Sequence, residues 1–317
     1  MVDWQETGPL SRMLRADNPG PMTLDGTNSY VLAAPGSATV VVVDPGPLLE
    51  EHLGALAGAG DVELILITHH HEDHTGGSAR LRELTGAPVR AAHPDFCQGG
   101  EPLRDGELIR AAGVDIEVLA TPGHTSDSVC FVLTDPAMMD AALKEPSLTD
   151  DAGTSQVLTG DTVLGQGTTV LDYPDGRLGD YLDSLEKLRA LGAGNDGGRT
   201  AAGRAASGQD AGSQFADTQA GERQAAEILG APVAVLPGHG PVLPDLAKIA
   251  AAYLAHRRER LAQVSAAVVL LERDGTAATA GAVTAVVYAD VPANLQGAAR
   301  LSVEAQLDYL RGPTSGR

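Results

Sequence analysis

Thr68-His69-His70-His71-Glu72-Asp73-His74 places four potential metal ligands, His69, His71, Asp73 and His74, within one short segment. The apolar run Leu64-Ile65-Leu66-Ile67 before it predicts a buried strand, and Gly76 to Leu84 after it predicts a helix. A cluster at such a junction lies where α/β proteins commonly carry their sites. Residues two apart in an extended segment project to the same side, so His69 and His71 can reach one ion. Asp73 and His74 follow at the helix start, within reach of a second.

Moving outward from this segment, the same local setting recurs three times. Asp115 to Ala120 predicts a strand and runs into Thr121-Pro122-Gly123-His124-Thr125. Gln156 to Thr159 predicts another, ended by Gly160-Asp161-Thr162, and Ala231 to Leu236 a third, followed by Pro237-Gly238-His239-Gly240-Pro241. Turns at one sheet edge can converge. His124 would complete the first site and His239 the second, with the two oxygens of Asp161 bridging them. Histidine-rich ligation with carboxylates suits two Zn2+ ions, ahead of Mn2+ or Fe2+. Ions ~3.5–4 Å apart would share a water of pKa ~7, making a metal-bound hydroxide the nucleophile. Asp73 is also the candidate catalytic residue, a proton acceptor for a leaving group. His70 and Glu72 should point away, and His52 and His93 are surface or packing residues.

The remaining chain supports an α/β protein with mixed sheets. Ser29 to Ala33 and Thr39 to Val43 form an expected hairpin across Pro35-Gly36-Ser37. A helix is expected from Leu48 to Ala59, a short strand near Val89, and a strand from Ser128 to Thr134. Residues 135–156 predict a surface loop. Asp180 to Leu191 has helical spacing, and Gln224 to Leu229 a helix end. Residues 192–222 are rich in Gly, Ala, Ser, Gln and Asp, which predicts a flexible insertion. A long helix is expected from Leu246 to about Arg273. Its basic patch, His256-Arg257-Arg258-Glu259-Arg260, reads as a solvated face. Helices follow at Ala280–Tyr288, Ala293–Ala299 and Ser302–Leu310. Alternation within the strands predicts one sheet face under helices and the other under a second sheet.

Composition narrows the function classes. The formal net charge is −20, concentrated before residue 240, so a broad basic footprint for nucleic acid is absent. Cys97 and Cys130 have no CxxC partner and read as small hydrophobes in a reducing compartment. Met1 to Glu6 carries acids where a signal peptide needs basic residues. No apolar run approaches the ~18 residues of a membrane helix. A cytoplasmic protein without membrane association is expected.

His69-x-His71-x-Asp73-His74, followed in order by His124, Asp161 and His239, resembles the metallo-β-lactamase superfamily of hydrolases. Asp44, in Asp44-Pro45-Gly46, matches the acid of that family's early turn, and the resemblance implies that it orients a ligating histidine. A narrower resemblance, to the lactamase-beta-like endoribonuclease branch, rests on four stretches: Asn18 to Tyr30, Gly160 to Thr169, Pro237 to Pro241, and His256-Arg257. The tail from Tyr288 to Leu310 is similar to that branch's winged-helix module. The implied fold is an αββα sandwich over residues 1–245, with a long helix and a small winged-helix-like module over 246–317. The implied activity is di-zinc cleavage of phosphodiester bonds in single-stranded RNA. The chain departs from that branch in its 192–222 insertion, its acidity and the lack of a wing. Thioester-hydrolysing fungal enzymes share much of the pattern, so a small acyl substrate is the alternative partner to RNA. A diiron oxidoreductase ranks lower, since diiron relatives carry Glu at the position of His71, and so does an inert binding module. Asn28 and Tyr30 are assigned a structural role in the hairpin.

Overall fold

The computed structural model describes residues 3–135, 156–194 and 232–312. Its first sheet has six strands in chain order: β1 (Gln5–Gly8), β2 (Ser11–Arg15), β3 (Asn28–Leu32), β4 (Thr39–Val43), β5 (Asp61–Leu66) and β6 (Val89–Arg90). The first four pair antiparallel, and β5 and β6 join in parallel. Parallel neighbours need crossovers. These are made by α1 (Glu50–Ala57), and by the short α2 (Glu72–Thr75) with α3 (Ser78–Thr85). The second sheet contains β7 (Leu108–Ala111), β8 (Val114–Ala120), β9 (Val129–Thr134), β10 (Gln156–Gly160) and β11 (Ala234–Pro237), in the order β11-β10-β9-β8-β7.

Strand alternation sorts the apolar residues into layers. Val41, Val43, Leu64 and Leu66 pack between the sheets against Ile116, Val118, Phe131 and Leu158. Their neighbours Val40, Val42, Ile65 and Ile67 face outward onto Leu53, Leu56 and Leu81 of α1 and α3. The outer face of the second sheet is covered by α4 (Leu178–Gly192) and the first half of α5 (Leu246–Arg273). There Tyr181, Leu185, Ala250 and Leu254 meet Leu119, Cys130, Val157 and Val235. The result is the expected αββα sandwich. Each fully buried aliphatic residue contributes about 1.5–3 kcal/mol, so the alternation in these strands fixes which face goes inward.

After the sandwich, the second half of α5 packs through Val264 and Ala267 on α6 (Ala280–Val287) and α7 (Gln296–Arg311). Asp245 accepts a hydrogen bond from Lys248 N at the start of α5, and Thr279 caps α6 by accepting from Ala282 N. The two helices expected at 293–299 and 302–310 are one. A 3₁₀ turn at Ala293–Leu295 leads into α7, and Arg300-Leu301, both good helix formers, carry it onward. Among the described residues after Arg273 there is no strand. No described helix is long and apolar enough to cross a membrane. Cys97 is half-buried and Cys130 buried, both free.

Three strands went unread in the sequence: β1, β2 and β7. β1 has no buried residue and is irregular in register, so its stability comes from pairing with β2 rather than from a buried face. The expected loop at 135–156, the insertion at 192–222 and the helix end at 224–229 lie, except at their edges, outside the described residues.

The topology brings the site segments to one edge. β4 and β5 run parallel, so Asp44 and His69 to His74 leave the same end of the first sheet. β8 and β10 are both antiparallel to β9, and β11 is parallel to β10. Their exits, bearing His124, Asp161 and His239, therefore share an edge too. Val129 N donates to Thr68 O at 2.8 Å, and Asn28 N to Gly238 O at 2.8 Å. These two bonds stitch the sheets together at that edge.

Candidate metal centre

Seven side chains named from the sequence converge there. His69, His71 and His124 form one group, Asp73, His74 and His239 another, and Asp161 joins His69 and His74 in a third; within each group the ligand atoms lie within 4.8 Å of one another. His71 Nδ1 lies 3.1 Å from both His69 Nε2 and His124 Nε2. His74 Nε2 and His239 Nε2 are 3.3 Å apart. Asp161 spans the groups: Oδ1 is 3.4 Å from His74 Nε2, and Oδ2 is 3.4 Å from His239 Nε2 and 3.8 Å from His124 Nε2.

The far nitrogen of every ring faces an oxygen that can accept its hydrogen. Carbonyls and carboxylates only accept, so the facing ring nitrogen must donate. His124 Nδ1 donates to Val170 O at 2.6 Å and His239 Nδ1 to Gly26 O at 3.1 Å. His74 Nδ1 donates to Asp44 Oδ2 at 2.9 Å, and His71 Nε2 faces Asp172 Oδ2 at 3.4 Å. Thr68 spends its hydroxyl hydrogen on Asp44 Oδ2 at 2.7 Å, so its Oγ1 accepts from His69 Nδ1 at 3.0 Å. Each near nitrogen therefore presents a lone pair inward when its ring is neutral. Lone pairs 3.1 Å apart repel unless a cation lies between them. Outer hydrogen bonds of this kind orient metal-ligating histidines.

Asp44 is the hub of this outer layer. It adopts a left-handed backbone, with φ of 51°, a conformation that Asp tolerates better than most residues. From there Oδ1 accepts Thr68 N at 2.8 Å, while Oδ2 serves both Thr68 and His74. The role that the resemblance implied for Asp44 is the contact observed.

Charge divides the centre into two halves. Burial, reinforced by neighbouring imidazoles, pushes His69 well below the ordinary histidine value and His124 down to about 4. Those rings are neutral at pH 7 and open to a cation. Around Asp73 and Asp161 the balance reverses. Burial opposes protonation of His74, but the Coulombic pull of Asp44 and Asp161 carries it well above its usual value. Against the same burial, Asp161 and a hydrogen bond to Asp73 raise His239 to about 9. Burial would raise the two acids, yet these rings hold Asp73 at about 2 and Asp161 well below its ordinary range. The second half thus demands positive charge, from protons or from metal. Asp161 Oδ1 is buried without a hydrogen bond, as a metal-directed oxygen would be. The donor set fits two divalent ions.

The backbone has been shaped to this crowding. A Cβ on Gly238 would collide with Asp161 Oδ1 and stand 2.8 Å from His74 Cε1. Only glycine lets the turn before His239 pass so close.

Other named residues fall into place around the centre. Glu72 is exposed at the start of α2 and is not among the groups of clustered ligand atoms. His70 meets Asp127 Oδ1 at 2.7 Å and stacks on Phe96, but it does not leave the cluster as expected: with His71 and Asp172 it forms a further group whose ligand atoms lie within 4.8 Å of one another. His52 is buried and bonds Ser29 Oγ at 2.8 Å, and His93 caps the turn at Asp95. Asn28 and Tyr30 do more than build their hairpin. Asn28 Nδ2 donates to Pro237 O and Gly240 O, and Tyr30 Oη donates to Pro237 O, so both hold the turn that carries His239.

Sequence reasoning missed the second layer. Thr27 Oγ1 donates to Asp73 Oδ2 at 3.3 Å, and Asn18 grips Thr27 through both its amide atoms. Together with Gly26 O, these contacts explain the Asn18-to-Tyr30 stretch, which the resemblance had marked without a role. Asp172, beside His71, had no local signal. The basic patch also needs correcting. Arg257 is buried, at 7% exposure, because it lies one turn from Tyr253 on the face that packs against the sandwich.

The Metallo-beta-lactamase superfamily model matches residues 22–136 of the chain. An atrochrysone carboxyl ACP thioesterase of Aspergillus fumigatus is 33% identical over 183 residues, covering 55% of this chain and 50% of that protein. A beta-lactamase-like protein 2 homolog of Caenorhabditis elegans is 27% identical over 306 residues, covering 92% of this chain and 81% of its own. A crystal structure of a metallo-beta-lactamase family protein from Thermus thermophilus superposes with a TM-score of 0.62 at 23% identity, over 96% of this chain and 93% of that one. The superfamily match over residues 22–136 and the superposition on the Thermus thermophilus protein show that the chain has the metallo-β-lactamase fold. The chain spans half the length of the thioesterase it matches.

Proposed function

We propose that this protein is a di-metal hydrolase, with zinc the preferred ion: His69, His71 and His124 would hold one ion, Asp73, His74 and His239 the other, and Asp161 would serve both. One observation carries the proposal: all five rings turn a hydrogen outward to an oxygen and aim the other nitrogen at a common volume. Divalent ions bound there supply Lewis acidity and water that ionises near neutral pH. The chain's own groups do the rest. Asp44, Val170 and Gly26 fix the ring tautomers. Asp73 is partly open, with a side chain 28% exposed, and Thr27 Oγ1 and His239 Nε2 steady its Oδ2. It is placed to exchange a proton with a departing group at the cleft. His71 and Asp172, also partly exposed, border the same opening.

For the substrate we favour an acyl thioester. The similarity to an ACP thioesterase supports it, and so does a net charge of −20, which repels a polyanion. Cleavage of single-stranded RNA is the second reading. It rests on the resemblance of residues 18–30, 160–169 and 256–257 to the endoribonuclease branch, with α5 to α7 as its winged-helix-like module. The test is one panel of acyl-CoA and acyl-pantetheine thioesters beside single-stranded RNA, run on chelated and zinc-reloaded protein. Thioester turnover that needs zinc and is abolished in Asp73→Ala is the expected result. RNA cleavage with those dependences would replace the substrate assignment, and metal-independent turnover would sink the centre itself.

A further inference from the structure

Two remote elements brace the two halves of the centre separately. The Asn18-to-Asn28 segment supports the Asp73–His74–His239 half, through Gly26 O, Thr27 Oγ1 and Asn28. The other half is approached from α5. We propose that Arg257 is a positioning residue for the His69–His71–His124 half, acting through the strap of residues 162–172. This rests on the two-ion reading above and goes beyond it, since it assigns the long C-terminal helix a part in ring geometry.

The contacts form a continuous chain. Arg257 Nη2 donates to Thr169 O, and its guanidinium lies over the Tyr181 ring, 4.9 Å from the centroid. Tyr181 Oη in turn donates to Thr162 O at 2.7 Å. One turn before Arg257, the Tyr253 hydroxyl bonds Leu164 O, Leu164 N and Gly167 O. The strap is thus pinned along residues 162–169 from α4 and α5. Immediately past the pins it takes hold of the centre. Val170 O accepts His124 Nδ1, Thr169 Oγ1 stands 3.3 Å from the same nitrogen, and Asp172 N donates to His124 O at 2.9 Å. The Asp172 carboxylate then faces His71 Nε2.

Stability alone does not account for Arg257. A buried guanidinium is costly unless paired, and among the described residues Arg257 has no carboxylate in an ion pair, while its Nε has no hydrogen-bond partner. What its burial does achieve is a fixed donor on the carbonyl next to the one that orients His124. A planar, delocalised cation stacked on an aromatic ring suits that task, because its fork is held before the bond forms.

The experiment uses the full chain and two variants. Arg257→Met keeps an unbranched apolar stem on Tyr181 and removes the donors; Arg257→Lys restores a donor. The first readout is the imidazole 15N spectrum of chelated protein, with His124 assigned through His124→Gln. The second is zinc binding against a competing chelator. Wild type should show His124 as the Nδ1–H tautomer and bind two zinc ions. Arg257→Met should lose the single tautomer and bind one of the two ions at least about tenfold more weakly, with the other unchanged; Arg257→Lys should recover part of both. A folded Arg257→Met with the wild-type His124 spectrum and both zinc affinities intact would overturn the proposal. If wild type binds no zinc, the two-ion reading fails, and the His124 spectrum still decides the role of Arg257.

Discussion

Replacing Asp44 by Asn tests the outer layer with almost no change of shape. Asn tolerates the left-handed backbone that Asp44 adopts at φ 51°, so the turn can persist. What changes is the inventory of acceptors. The carboxylate takes three hydrogens: Thr68 N–H on Oδ1 at 2.8 Å, and Thr68 Oγ1–H and His74 Nδ1–H on Oδ2 at 2.7 and 2.9 Å. An amide has one acceptor oxygen, and its NH2 group must then face at least one of those donors. Asp44 is 2% exposed, so water offers little relief. A buried donor left unsatisfied costs about 1–3 kcal/mol, and losing a charge-assisted bond costs about 1.5–3 kcal/mol. The expected loss for Asp44→Asn is therefore about 2.5–6 kcal/mol in the metal-free protein. Urea unfolding should show it as a lower midpoint at unchanged slope. His74 also loses the partner that fixes its tautomer, so zinc affinity should fall about 10–100-fold. A variant within about 0.5 kcal/mol of wild type and with wild-type zinc affinity would refute the reasoning.

Three further perturbations follow from the same geometry. Gly238→Ala should lower zinc affinity and destabilise by about 1–3 kcal/mol, because its Cβ would collide with Asp161 Oδ1; wild-type affinity would show that the turn yields freely. Zinc at about 100 times its dissociation constant should raise unfolding free energy by about 2.7 kcal/mol, and a chelator should reverse this in a thermal melt. For pH, burial lowers His52 to about 4 from an ordinary 6.5. Well above pH 6.5 the ring is neutral in both states and adds nothing. As pH falls toward 4 the unfolded chain takes up a proton that the folded chain refuses, so stability is lost, by on the order of 3 kcal/mol at most. His52→Gln should remove that increment between about pH 7 and 4; parallel stability curves for the two proteins would contradict it.

How legible the molecule was depended on how local each feature is. The strand at Thr39–Val43 and the Leu64 to Leu66 half of β5 were readable because their apolar runs are a property of consecutive residues; the start of β5, with exposed Asp61 and Glu63, was not. The edge strand β1 was not, since pairing with β2 rather than a buried face creates it. The division at 299–302 within α7 was misread for a related reason: nothing in those residues ends a helix. Arg257 looked like part of a solvated basic face, because charge in sequence says nothing about which side of α5 meets the sandwich.

The centre itself divides along the same line. His69, His71, Asp73, His74, His124, Asp161 and His239 were legible because ligation demands particular side chains, and each segment follows an apolar strand at a turn. The sequence by itself therefore determined the candidate ligand set and the sandwich that gathers it. What fixes the rings was decided only in three dimensions. Two of the five outer acceptors are main-chain carbonyls, of Gly26 and Val170. Every residue carries such a carbonyl, so its use leaves no mark in the sequence. Asp172 and the Arg257 strap are tied to His71 and His124 by chain folding across long separations, and only the tertiary structure sets which of many similar groups arrives there.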